Sequence, residues 1–212
     1  MFAGGDDLFL IGPWNRMTEL ALRLRESFAE YVCCNKEIHF SAGITLHKAH
    51  TSIKTMAKDA EHALEASKKG ERREKCTESE PDTPESDRNR MTLFSETVTW
   101  DELEKLIEIR EEIQKWMDDG WINNAMMYRF NLFIDMAEQE KRILETGDAD
   151  ADDISCLKWQ SRLAYTIGRN VGRGIKDDAK LEKRISASTS AWLTKYGGKF
   201  KIPVWDSLYN SR

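Results

Sequence analysis

Apolar residues recur along this chain with two periods, and the change from one to the other divides it. Near the start, Phe2 and Ala3, then Leu8 to Ile11, read as two arms of a β-hairpin around Gly4-Gly5-Asp6-Asp7, and Gly12-Pro13 ends the second arm. Met17, Leu20, Ala21, Leu24, Phe28 and Tyr31 then fall at helical spacing, which predicts an amphipathic helix over 15–32. The stretch from Ile38 to Leu46 is β-like, and its Gly43 marks either a bulge or a close backbone approach. A second helix is predicted after Thr51 or Ser52 as N-cap. Ile53, Met56, Ala57, Ala60 and Leu64 share one face, and Lys68-Lys69-Gly70 supplies a basic end and a glycine stop.

Residues 71–87, ERREKCTESEPDTPESD, hold almost no apolar side chain and two prolines, the pattern of a mobile acidic surface loop. RMTLFSETVTW follows as a candidate strand. Beyond it the period is helical almost throughout. Leu103, Leu106, Ile107, Ile113 and Met117 outline one helix, and Met126, Phe130, Phe133, Ile134 and Ala137 a second. GDADADD interrupts the pattern. Trp159, Leu163, Ile167, Val171 and Ile175 define a third helix, and Leu181, Ile185, Trp192 and Tyr196 a fourth. The expected fold is α+β: hairpin, helix, strand, helix, strand over 1–98, then a mostly α-helical bundle over 99–212. Trp159 and Trp192 follow apolar stripes and are expected in the core, whereas Trp14 and Trp205, near element ends, are candidate interface anchors.

Composition narrows the class. The chain has 212 residues, 40% apolar and 33% charged, as suits a globular protein rich in exposed helix. No apolar run approaches the roughly 20 residues of a membrane helix, and no basic-then-apolar leader opens the chain. Cys33 and Cys34 are adjacent while Cys76 and Cys156 stand alone, without metal-ligand spacing, so a reduced, cytoplasmic setting is expected. The formal net charge of −5 argues against a general nucleic-acid coat. That charge is uneven, however: Glu96 to Asp153 carries 17 acidic and 6 basic residues, and Ser155 to Arg212 carries 4 acidic and 12 basic. The two segments either neutralise each other or leave a basic face for RNA or a partner subunit.

The candidate chemistry lies in the first turn. Adjacent carboxylates repel, and a turn that needs only polarity would as readily carry Asn or Ser. Asp6 and Asp7 are therefore either turn residues or ligands of a divalent cation. Carboxylates at the tip of a strand-turn-strand, backed by helices, are the arrangement of palm-type nucleotidyl transferases. There, hard oxygen ligands hold divalent ions against a triphosphate. His39, His47, His50 and His62 show no paired spacing beyond His47 and His50, whose i, i+3 relation would need a helix where a strand end is expected, so they are expected at the surface or in the core. GDADADD lacks the spaced ligands and terminal Glu of a calcium loop and reads as a solvated turn.

FAGGDDLFLIGPW, FSAGITL, AKDAEHALEASKKG and RNRMTLFSETVTW, in that order, resemble the second palm domain of the Csm-type large subunit of type III CRISPR effector complexes. That palm is ferredoxin-like and related to the GGDEF domains of diguanylate cyclases. WQSRLAYTIGRN and KIPVWDSLYNSR resemble the same family's C-terminal helical domain. The resemblance implies a nucleotidyltransferase that polymerises ATP into cyclic oligoadenylates when a CRISPR RNA has paired with target RNA. Asp6 and Asp7 would be catalytic, metal-binding carboxylates for Mg²⁺ or Mn²⁺, Gly4 and Gly5 would line the nucleotide, and Lys68 would meet triphosphate oxygens, with Lys69 its neighbouring candidate. Arg88 departs from the family's connection and is left outside the site. The implied partners are the small-subunit filament and the backbone bearing the CRISPR RNA. A further metal carboxylate is expected on a palm strand ahead of Met1, making the palm partial, either as a fragment or as one half of a split subunit. The alternatives are a silent assembly module and a GTP-using diguanylate cyclase; the helical second half disfavours the cyclase.

Overall fold

A computed structural model describes residues 2–5, 7–35, 37–69, 89–147, 153–171 and 178–210. The chain divides into two compact units, Met1–Glu104 and Lys105–Arg212. The structure is mostly helical, with two small sheets.

In the first unit, β1 (Phe2–Gly4) and β2 (Asp7–Phe9) form an antiparallel pair. Helix α1 (Trp14–Tyr31) follows, then β3 (Ala42–Ile44), α2 (Ile53–Lys68) and β4 (Arg90–Leu93). β3 and β4 run parallel, and α2 packs on both, so these three elements make a βαβ unit. Side-chain capping starts α2: the Ser52 hydroxyl accepts from the Thr55 backbone N–H at 3.2 Å. Gly43 resolves to a close approach. A Cβ built there would lie 2.3 Å from the Leu64 nitrogen and 2.6 Å from the Ala63 carbonyl carbon, so the α2 backbone lies directly on β3.

The single strand expected from RMTLFSETVTW is instead two. β4 turns through Phe94 and Ser95 into β5 (Glu96–Thr99), which pairs antiparallel with it. Both turn residues take positive φ, 53° and 67°. Such a two-residue turn ordinarily announces itself by Asn-Gly, and here neither residue type is present. The β-like stretch over 38–46 likewise contracts to three paired residues. Met91, Leu93, Val98, Trp100 and Leu103 are buried in this unit with Ala21 of α1. Trp100 is fixed by donation from its Nε1 to the Phe40 carbonyl at 2.9 Å. Arg25 lies over the indole and pairs with Asp101 and Glu104 at 3.5 and 3.3 Å.

Helix α3 (Trp100–Asp118) begins with a reciprocal cap: the Thr99 N–H donates to the Glu102 carboxylate and the Glu102 N–H to the Thr99 hydroxyl. In the second unit, α4 (Asn124–Thr146) is central and touches α5 (Trp159–Asn170), α6 (Asp178–Tyr196) and α7 (Lys201–Asn210). Its buried positions include Met126, Met127, Phe130, Phe133 and Ile134, more than one stripe, because neighbours cover it on several sides. Trp116 stacks on Trp192 with ring centroids 5.3 Å apart, and Phe200 packs against Trp192 and Phe130. Trp159 is buried as expected; Trp192 is half-buried within this stack.

Two helical expectations need correction. The third helix ends at Asn170: Val171 is buried but extended, and Ile175 lies outside the described residues. Periodicity outlined no helix beyond Tyr196, yet α7 follows it. Gly197 and Gly198 belong to a 3-10 turn over Gly197–Phe200, and Pro203 sits in the first turn of α7, where no intrahelical N–H is needed. Gly147, at φ 69°, ends α4 in the left-handed conformation; residues 148–152 of GDADADD and the expected loop over 71–87 lie outside the described residues. No helix among the described residues is long and apolar enough to cross a membrane.

Candidate functional site

The hairpin is built by register. Ala3 pairs with Leu8 and Gly4 with Asp7, so Asp7 is the first residue of β2. Gly5 has φ 64°, and, its chain neighbours aside, no atom of the described residues lies within 4 Å of the position a Cβ would take. Glycine is required there by the backbone, since φ > 0 is costly for other residues. Gly4, Gly5 and Asp7 are all exposed. Asp6, the other expected carboxylate, lies outside the described residues.

Lys68 is the last residue of α2 and is exposed. Its neighbour Lys69 is committed locally: its N–H donates to the Glu65 and Ala66 carbonyls, and its Nζ lies 3.6 Å from the Glu65 carboxylate. Among the described residues no ion pair engages Lys68, the lysine the resemblance put first, whereas its neighbouring candidate Lys69 is paired. The structure puts the hairpin and Lys68 in one unit, and no hydrogen bond or ion pair among the described residues joins them. Arg88 lies outside the described residues. Asn89, at φ 75°, donates its N–H to the Ser41 hydroxyl at 3.3 Å.

The donor set can be tested against a metal. Among the described residues no group of three or more His, Cys, Asp or Glu side chains is placed to hold an ion. Asp7 offers a hard carboxylate oxygen, the donor type Mg²⁺ and Mn²⁺ favour. Mg²⁺ is commonly held by one or two carboxylates together with substrate phosphates, and Asp7 is a side chain of that type on the exposed turn.

The histidines have other engagements. His47 Nε2 lies 3.0 Å from the Thr45 hydroxyl and 3.9 Å from the Asp59 carboxylate, linking the segment after β3 to α2. His50 and His62 are exposed. Cys33 and Cys34 are free and exposed, Cys156 is buried, and Cys76 lies outside the described residues. In the second unit, Asp206 has a displaced pKa: burial pushes its carboxyl above the ordinary range, against the opposing pull of Arg110 at 3.1 Å. Sequence patterning gave no sign of this pair, whose members stand 96 positions apart.

Residues 1–77 match the family model described as Cas10/Cmr2, second palm domain. The chain is similar to three proteins named CRISPR system single-strand-specific deoxyribonuclease Cas10/Csm1 (subtype III-A). That of Methanocaldococcus jannaschii is 35% identical over 101 residues, 48% of this chain. That of Mycobacterium tuberculosis is 29% identical over 148 residues, 68% of this chain, and that of Enterococcus italicus 27% identical over 128 residues, 57%. The matches span only 12%, 16% and 15% of those relatives' own lengths. No solved structure matches the chain.

Proposed function

We propose that this chain, whose residues 1–77 match the Cas10/Cmr2 second-palm model, serves as a palm-bearing part of a type III-A CRISPR effector large subunit. In this reading ATP is joined into cyclic oligoadenylates when the complex recognises target RNA. The observation that carries the proposal is the exposed hairpin turn, in which Gly5 takes φ 64° and Asp7 is the first residue of β2. A residue without a Cβ lets a triphosphate approach the backbone closely.

Asp6 and Asp7 would hold Mg²⁺ or Mn²⁺, which when bound supplies charge neutralisation at the triphosphate and favours attack by a hydroxyl. Gly4 and Gly5 shape the surface on which the nucleotide lies. Lys68, unpaired with any described carboxylate, places a mobile cation where triphosphate oxygens need one. The two small sheets are then parts of one ferredoxin-like, GGDEF-type palm, completed by polypeptide beyond the described residues. The helical second unit docks on the small-subunit filament or on the backbone carrying the CRISPR RNA, in the cytoplasm. One observation favours a second reading, a catalytically silent assembly module: no three-ligand cluster exists among the described residues.

The test is to supply ATP and target RNA to the assembled effector with either the parent chain or Asp6→Ala/Asp7→Ala, and to read products by mass spectrometry. Loss of cyclic oligoadenylates in the variant is expected. Equal yields from both complexes would remove these carboxylates from the chemistry and leave the assembly role.

A further inference from the structure

Tyr128 and Asn131 of α4 and Trp205, Leu208 and Tyr209 of α7 line a cleft of about 170 Å³ in the second unit. Pockets for drug-sized molecules run to roughly 300–1,000 Å³. This cleft is instead of a size to admit one planar ring. Tyr128 is 53% exposed, and Trp205 and Tyr209 are half-buried, so the aromatic surface faces solvent. The indole is held in place: Trp205 Nε1 donates to Asn131 Oδ1 at 2.7 Å, and Lys201 Nζ lies 5.3 Å from the ring centroid. Burial of Ile202, Pro203, Val204 and Leu208 fixes α7 itself.

Charge chooses the occupant. Arg129, next to Tyr128, is exposed, and Lys201 stands over Trp205. The one carboxylate of α7, Asp206, is turned to Arg110, and the first carboxylate of α4 is Asp135, nearly two turns beyond Tyr128. A partner protein inserting an apolar anchor would use the rings but would have no need of these cations. Single-stranded nucleic acid needs both, because its bases stack on aromatic faces while its phosphates seek Lys and Arg.

We propose that the α4–α7 cleft is a stacking site for a base of single-stranded RNA, with Tyr128, Trp205 and Tyr209 as the aromatic surface and Arg129 and Lys201 facing the adjoining phosphates. The assignment is independent of the chemistry at the hairpin. Duplex RNA is a poor ligand for it, since paired bases keep their faces stacked on one another.

Fluorescence anisotropy of a labelled, unstructured RNA oligonucleotide titrated with the full chain tests the site. Tyr128→Ala is expected to weaken binding about tenfold, and Tyr128→Phe to retain parent affinity. Tyr128 is exposed, so the fold survives its truncation, which circular dichroism checks. Lys201→Gln is expected to reduce the salt dependence of binding by a slope of about 0.7. Unchanged affinity in Tyr128→Ala overturns the proposal, as does equally tight binding of a duplex. Loss of a purified effector subunit's binding in Tyr128→Ala, with RNA affinity intact, also overturns it and assigns the cleft to a protein contact.

Discussion

At the scale of single residues, the structure turns on two positions whose sequence neighbours say little about them. Gly43 admits α2 onto β3. An added methyl group would meet backbone atoms at 2.3 and 2.6 Å, which cannot rotate aside as a side chain can. Gly43→Ala is therefore expected to destabilise the first unit by about 1–3 kcal/mol, the usual cost of overpacking, read as a lower urea midpoint. Asp206 is the second position. Its folded carboxyl holds its proton more tightly than in the unfolded chain, because burial outweighs Arg110. Between the unfolded value near 3.8 and the raised folded value, the native state thus binds more protons, and this group's contribution to stability falls as pH rises. Asp206→Asn lacks that dependence. Its stability relative to the parent should improve as pH climbs through that interval, in paired denaturation curves; a constant difference would show that the carboxyl does not titrate between the two states.

Among elements, ends were harder to read than interiors. Periodicity placed α1 and α2 within a residue or two of their observed bounds, because one apolar face repeated over several turns is a strong signal. The turn at Phe94-Ser95 and the start of α7 escaped it. In each case the local residues contradict the usual turn or helix chemistry, and contacts with the rest of the unit decide the outcome. The entry to α3 is tied by the Thr99–Glu102 reciprocal cap, two hydrogen bonds of 3.1 and 3.2 Å. Thr99→Ala removes one acceptor and should lower stability by about 1 kcal/mol. Hydrogen exchange should show the first amides of α3 opening more often, with those of α4 unchanged.

For the molecule as a whole, the proposed function predicts that the isolated chain makes no cyclic product from ATP and Mg²⁺, whereas an assembled effector containing it does. Asp7 is the described carboxylate of the hairpin, and no three-ligand cluster accompanies it among the described residues, so on the proposed function the cation would draw its other protein ligands from outside them. Robust synthesis by the purified chain would refute this. Much of this organisation is set by local sequence. Apolar periodicity dictates the hairpin arms and the helices, and glycine's access to positive φ dictates the turn beside Asp7, since both effects act over a few bonds. Tertiary structure alone decided that Gly43 marks a helix lying on a strand and that Arg110 meets Asp206. It also brought Tyr128 and Trp205 to one cleft. Those outcomes depend on distances between residues far apart in the chain, which a linear pattern does not encode.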